Sequence, residues 1–245
     1  MEKYSKAPIA EAVFDIRIDP ALAIEGNALE SLYAKVSDCY PAKEILKTSE
    51  MIGEIKDGEL ANVQAVSKGA VGFRFWDTER KQACRFGLDG FSFSRLRPYS
   101  GWEDCFPETM RLWAIYKADF NPHHIKRVAV RFINVIKIPE GRFELADYFN
   151  NPPEPPTGLP QDLTEFLSRL RVRYEDGYFA IITLALQLSV EPNVASILLD
   201  IDVCTETPFG AGDERQLEKV FERLRYIKND IFEKSITSKT KELIK

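Results

Sequence analysis

Apolar and polar residues alternate through Glu11-Ala12-Val13-Phe14-Asp15-Ile16-Arg17-Ile18, and again through Lys126-Arg127-Val128-Ala129-Val130-Arg131-Phe132-Ile133-Asn134-Val135-Ile136. Successive side chains of a strand point to opposite faces, so a period of two is satisfied only by a half-buried strand with one side on a core. In the first stretch Ala12, Phe14, Ile16 and Ile18 take one side, and Asp15 and Arg17 the other. Whatever this chain folds into must cover one face of both segments.

Both segments lead into elements of the same order. After the first, Asn27 with Glu30 three residues on gives an N-x-x-E helix start, and Leu29, Leu32, Tyr33 and Val36 repeat at helical spacing until Pro41. Strands are expected over 51–55, 71–76, 81–88 and 91–97, with Asp57-Gly58 and Asp89-Gly90 as hairpin turns, since the favoured turn needs positive φ. A helix over 103–119 comes next, with Pro107 in its first turn and Phe106, Met110, Leu112, Trp113 and Tyr116 on a wide apolar face.

After the second segment, a short helix over 144–149 leads into 150–160, where five prolines stand in nine residues and exclude helix and ladder pairing alike. Asp162-Leu163-Thr164-Glu165 resembles a capping box and predicts a helix over 166–170. Strands are expected over 171–174, 179–189 and 197–204, the first two joined at Asp176-Gly177. Asp213 is a good N-cap for a last long helix with Leu217, Val220, Phe221, Leu224, Ile227 and Ile231 on one stripe, and the tail from Ser235 adds a helical turn. The expected fold class is therefore α+β: two related halves, 1–122 and 123–245, each strand, helix, antiparallel strands, long helix, with the proline-rich loop 150–160 in the second. Curved sheets packed on helices share their logic with the TATA-binding-protein and helix-grip shapes, an analogy of form that does not fix activity.

Several phrases carry a resemblance: Ala7-Pro8-Ile9 with Phe14-Asp15-Ile16-Arg17, Gly72-Phe73-Arg74-Phe75, Asp89-Gly90-Phe91-Ser92-Phe93-Ser94-Arg95-Leu96, Pro98-Tyr99 with Trp102-Glu103, Arg131-Phe132-Ile133-Asn134 and Asp200-Ile201-Asp202. Over nearly its whole length the chain resembles a sporadically distributed prokaryotic family of uncharacterised proteins of about this size. The resemblance brings no reaction and no catalytic residue, and its patchy distribution suggests mobile or defence-associated genes.

The functional classes narrow from composition. With 33 basic and 38 acidic residues the net charge is −5, against a protein whose whole surface serves nucleic acid, although a local basic patch is compatible with it. No apolar run reaches membrane-spanning length, so no membrane partner is expected. The opening Met-Glu-Lys-Tyr-Ser-Lys lacks an apolar core, which points to a cytoplasmic protein. Cys39, Cys84, Cys105 and Cys204 are scattered without a C-x-x-C pair, so buried free thiols are expected in place of zinc or disulfides. Gly210-Ala211-Gly212 before Asp213 is a plain helix cap: the carboxylate takes the backbone donors a phosphate would need, and no cofactor fingerprint occurs elsewhere. His123-His124 has no Ser or Cys nucleophile signature beside it.

Two clusters remain as candidate sites. The first gathers Asp15, Arg17, Arg127, Arg131, Asp200 and Asp202 on the polar sides of the alternating strands, either as plain cross-strand ion pairs or as arginine forks, oriented by carboxylates, for an anionic ligand. The second is Arg95, Arg97, Tyr99 and Trp102, with Arg74 and Trp76 expected on the same face: aromatics interleaved with arginines either pack or bind a nucleotide. Asp200 and Asp202, two apart on one strand, also suit a divalent cation, which opens a metal-dependent nuclease or phosphoesterase as an alternative. The leading expectation is a non-enzymatic module that binds a small anionic ligand or a protein partner; an architectural nucleic-acid binder is the third reading.

Overall fold

A computed structural model describes residues 4–19, 26–56, 59–139, 143–160, 163–189 and 191–245. In chain order the elements are β1 (Ile9–Ile18), α1 (Gly26–Val36), β2 (Ala42–Lys56), β3 (Glu59–Trp76), β4 (Gln82–Gly87), β5 (Gly90–Leu96), α2 (Trp102–Phe120), β6 (His124–Ile138), α3 (Leu145–Tyr148), β7 (Leu167–Arg173), β8 (Tyr178–Gln187), β9 (Ala195–Thr205), β10 (Phe209–Gly210), α4 (Glu214–Ser235) and α5 (Ser238–Ile244). The protein is α+β: one curved antiparallel sheet of ten strands in the order β2-β3-β4-β5-β1-β6-β9-β8-β7, with β10 also on β6, packed against helices.

The two halves meet at the centre of that sheet. β1 pairs with β6 antiparallel, Phe14 opposite Val130 and Arg17 opposite Arg127, so the two alternating segments lie side by side. In each half the opening strand also pairs with the last long strand of its own meander, β1 with β5 and β6 with β9. One hydrophobic core runs through both halves, since Phe14, Ile16, Phe91 and Phe93 join Phe132, Ile201, Val203 and Phe221 in a single cluster. Phe14 alone meets Phe93, Trp102, Phe132 and Phe221 at ring-centroid distances of 5.1 to 6.3 Å. These contacts span both halves, and at such separations aromatic pairing adds to the gain from area burial.

The long helices close the apolar face. α4 buries Leu217, Val220, Phe221, Leu224, Ile227 and Ile231, and its N-cap Asp213 accepts a hydrogen bond from the Gln216 amide at 3.0 Å, as the sequence implied. α2 buries Cys105, Thr109, Leu112, Trp113 and Tyr116 against β5, and begins at Trp102, which places Pro107 in its second turn. The Asp89-Gly90 turn closes the β4–β5 hairpin with Gly90 at φ 143°. Among the described residues no helix is long and apolar enough to cross a membrane.

The main departure from expectation is the helix expected over 166–170, where residues 167–170 open a strand instead: β7 pairs along its whole length with β8, Leu167 opposite Ala185 through Arg173 opposite Phe179. The tertiary ladder outweighs a local start signal whose span is too short to propagate a helix. β2 and β3 are far longer than the strands expected at 51–55 and 71–76, because each supplies the other's hydrogen bonds over a ladder from Ala42–Trp76 to Lys56–Glu59. The tail forms a separate helix, α5, capped by the Thr237 hydroxyl, which accepts from the Thr240 amide. The expected Asp57-Gly58 turn, the side chains of Asn27 and Glu30, and Asp162 of the proposed capping box lie outside the described residues.

Candidate functional site

Parity along the strands sorts the charged residues. On β1, Ala12, Phe14, Ile16 and Ile18 are buried beneath the helices, so Glu11, Val13, Asp15 and Arg17 face the other way. Register carries the same side onto Arg127, Ala129 and Arg131 of β6, and onto Asp200, Asp202 and Cys204 of β9. No described helix covers this face, yet Ala129 is only 2% exposed and Asp200 7%. Long neighbouring side chains shield the strand centres, so the charges form a partly buried polar cluster.

Within it the acids and arginines interlock. Arg17 donates to Asp15 through Nε at 3.0 Å and pairs with it through Nη2 at 2.9 Å, while its Nη1 reaches Asp89. Arg127 bridges three strands, donating from Nη1 to Asp15 Oδ2 at 3.0 Å and from Nη2 to Asp202 Oδ1 at 3.3 Å. Arg131 grips Asp200 in fork geometry, Nε to Oδ1 at 2.9 Å and Nη2 to Oδ2 at 2.6 Å. Burial pushes the Asp202 carboxyl up from its ordinary value against the pull of Arg127 and Arg131. For Asp89 burial works in the same upward direction, but the Arg85 and Arg17 guanidinia prevail and hold it low.

This geometry leaves little for a divalent cation. Asp200 and Asp202 do share the open face, but their oxygens are taken by Arg131 and Arg127. Among the described residues no group of three His, Cys, Asp or Glu is arranged to hold a metal. His123 and His124 are exposed at the start of β6.

The second cluster comes apart. Arg74 and Trp76 lie on the open face, opposite Arg85 and Ala83, whereas Phe91, Phe93 and Arg95 point to the helix side. β4 lies between β3 and β5, and matching each strand's register to its neighbour puts these two sets on opposite parities, which sequence spacing alone could not reveal. Arg95 Nε donates to the Pro98 carbonyl at 3.2 Å; Arg97 is exposed beyond the strand, its amide bonded to the Ala10 carbonyl. Tyr99 and Trp102 turn inward to the helix side, Tyr99 edge-on to Phe132 at 5.5 Å and Trp102 beside Phe14.

Around Arg74 and Trp76 the open face forms a hollow of about 250 Å³, lined also by Glu11, Arg85, Ser92 and Ser94. Arg85 donates from Nη2 to Asp89 at 2.9 Å, but its Nη1 is buried without a partner. Trp76, Arg74 and Arg80 hold the Glu44 carboxylate below its usual range. On the opposite flank β7 puts Arg169, Arg171 and Arg173 on the open face, with the Arg171 guanidinium 4.5 Å from the Phe179 ring centre. These three arginines, spaced two apart, are functional candidates the sequence reading missed: the helix expected over 166–170 cut Arg169 off from Arg171 and Arg173 in the strand expected over 171–174, although their shared period of two was the available signal.

The fold is thus that of an α+β protein with one sheet face that no described helix covers. No family model matches the chain, and no curated protein matches it in sequence.

Proposed function

We propose that the chain is a binding module that seats an anionic partner on its uncovered sheet face. The supporting observation is a reversal of charge. Overall the chain carries 33 basic and 38 acidic residues. On the open face the described strand positions present Arg17, Arg74, Arg85, Arg127, Arg131, Lys137, Arg169, Arg171 and Arg173 against Glu11, Asp15, Glu44, Asp200 and Asp202. Bases still predominate when Asp89 and Glu191, which pair with Arg17 and Lys137 from flanking turns, are included.

The central Arg–Asp lattice is mutually neutralised and holds its guanidinia in place. The flanks carry the attraction: Arg85 keeps an unused buried donor, and no described carboxylate pairs with Arg169, Arg171 or Arg173. From β3 to β7 the basic positions cross seven strand spacings, about 34 Å at the usual interstrand distance, which suits an extended anion better than a metabolite. The carboxylates of the central cluster repel anions that do not match the arginine pattern.

The test is fluorescence anisotropy with a single-stranded oligonucleotide, a duplex and an acidic peptide, each across a salt series. Binding of at least one, weakening steeply with salt and lost in the Arg169→Ala, Arg171→Ala, Arg173→Ala triple variant, supports the reading. Absence of binding to all three at low salt refutes it. Arg127 is unsuitable as the probe because its removal leaves Asp202 without its direct ion pair.

A further inference from the structure

A chamber of about 320 Å³ opens on the opposite side of the sheet, between the segment Tyr4–Ile9, the turn Tyr99–Glu103 and α4. Its walls are aromatic: Tyr99 and Phe132 from the sheet side, Trp102 from the start of α2, and Phe232 from α4. At this size and polarity it falls at the lower end of small-molecule sites.

Three polar groups in it have no described partner. The Lys228 ammonium sits 3.8 Å from the centre of the Phe132 ring and makes no ion pair. The Asn229 side chain is 9% exposed and lines the chamber without a hydrogen bond, and the Tyr99 hydroxyl has none either. Lys228 falls four residues after Leu224 and seven after Phe221, so it stands on the buried stripe of α4 where an apolar residue would ordinarily be. An ammonium there loses solvation without gaining a counter-ion, and the ring face offsets only part of that loss.

The other lining charges are already matched. Arg225 pairs with Glu103 at 2.7 Å and lies 5.0 Å from the centre of the Trp102 ring. Glu233 accepts from the Tyr4 hydroxyl and pairs with Lys241 at 2.7 Å. One positive charge is therefore left over among the described lining residues, set between flat apolar walls with a hydroxyl and an amide nearby.

We propose that this chamber binds a small aromatic monocarboxylic acid, its ring between Tyr99, Trp102 and Phe232 and its carboxylate on Lys228 with Asn229. A dianionic phosphate would bring a second charge for which the chamber has no free cation. Burial, with Arg225 adding repulsion, brings Lys228 down to about 7. Binding a carboxylate then favours the protonated ammonium, so affinity falls as pH rises through that range while the acid itself stays ionised. The facing groups, Tyr99 and Glu103 from the turn, Tyr4 from the N-terminal segment and Arg225 and Glu233 from α4, leave Lys228 as the group that supplies this dependence.

The experiment is calorimetric titration of the full chain at pH 6.5 with phenylacetate and indole-3-acetate, with phenylacetamide and phenyl phosphate as controls. Expected is saturable one-site binding of a carboxylate, at least about tenfold weaker for the amide and for Lys228→Met, and unaffected by Lys219→Ala on the exposed side of α4. Should Lys228→Met fail to fold, Asn229→Leu is the second variant, with a loss of about threefold or more expected and full affinity counting against the proposal. No saturation by either acid up to about 10 mM, equal affinity for the amide, or full affinity in Lys228→Met overturns the proposal.

Discussion

Replacing Arg127 by Met tests whether the central lattice holds the sheet together. The variant keeps most of the apolar stem and removes the guanidinium that joins β1, β6 and β9. Asp15 retains Arg17, but Asp202 loses its direct ion pair. With side chains 26% exposed on Arg127, 12% on Asp15 and 23% on Asp202, the pairs lie between the fully buried and surface extremes. Breaking a buried pair costs about 3 to 5 kcal/mol and a surface pair about 0 to 1, so the expected loss is about 2 to 3 kcal/mol. For 245 residues the unfolding entropy makes this a fall of about 4 to 6 °C in Tm. Urea unfolding and calorimetry measure it, with Asp202→Asn and the double variant completing a cycle. Asp202 already sits above its ordinary carboxyl value through burial, and removing Arg127 raises it further. A folded-state value above the unfolded one means stability falls as pH rises through that window, so the deficit of Arg127→Met should shrink as pH is lowered from 7 towards 5. A loss below about 0.5 kcal/mol, with additive effects in the double variant, would refute the claim that the lattice is structural.

Gly90→Ala should cost about 3 kcal/mol or more, read by urea unfolding: at φ 143° an added Cβ would stand 2.2 Å from the Ile16 carbonyl oxygen, and a loss under about 1 kcal/mol would contradict this geometry. Thiol titration of the native chain at pH 8 should find one fast cysteine, Cys39, since Cys84, Cys105 and Cys204 are buried and burial pushes Cys105 up to about 11; a second fast thiol would show that the core opens. Lys228 lies below its unfolded value, so the unfolded chain binds the extra proton and wild-type stability should rise with pH from 7 to 9; Lys228→Met should flatten that slope, and an identical slope in both chains would argue against an unpaired ammonium.

How much of this is legible in the sequence varies by element. Period-two spacing alone places Asp15 and Arg17 opposite Phe14 and Ile16, and the stripe from Leu217 to Ile231 marks the buried side of α4. Local chemistry also identifies the Asp213 cap and the Asp89-Gly90 turn. These features depend on neighbours a few residues away, so a linear reading contains the whole cause.

Pairing and register depend on partners distant along the chain. Whether Arg74 shares a face with Phe91 is decided by how β3, β4 and β5 align, and whether 166–170 is helix or strand is decided by β8. Arg127 meets Asp15 and Asp202 only because β6 runs between β1 and β9. Lys228 looks like a misplaced charge on an amphipathic helix until the N-terminal segment and the turn after β5 enclose it. Sequence determined the faces of each element, through side-chain geometry; tertiary structure alone decided which faces were joined, because that choice rests on burying one shared core.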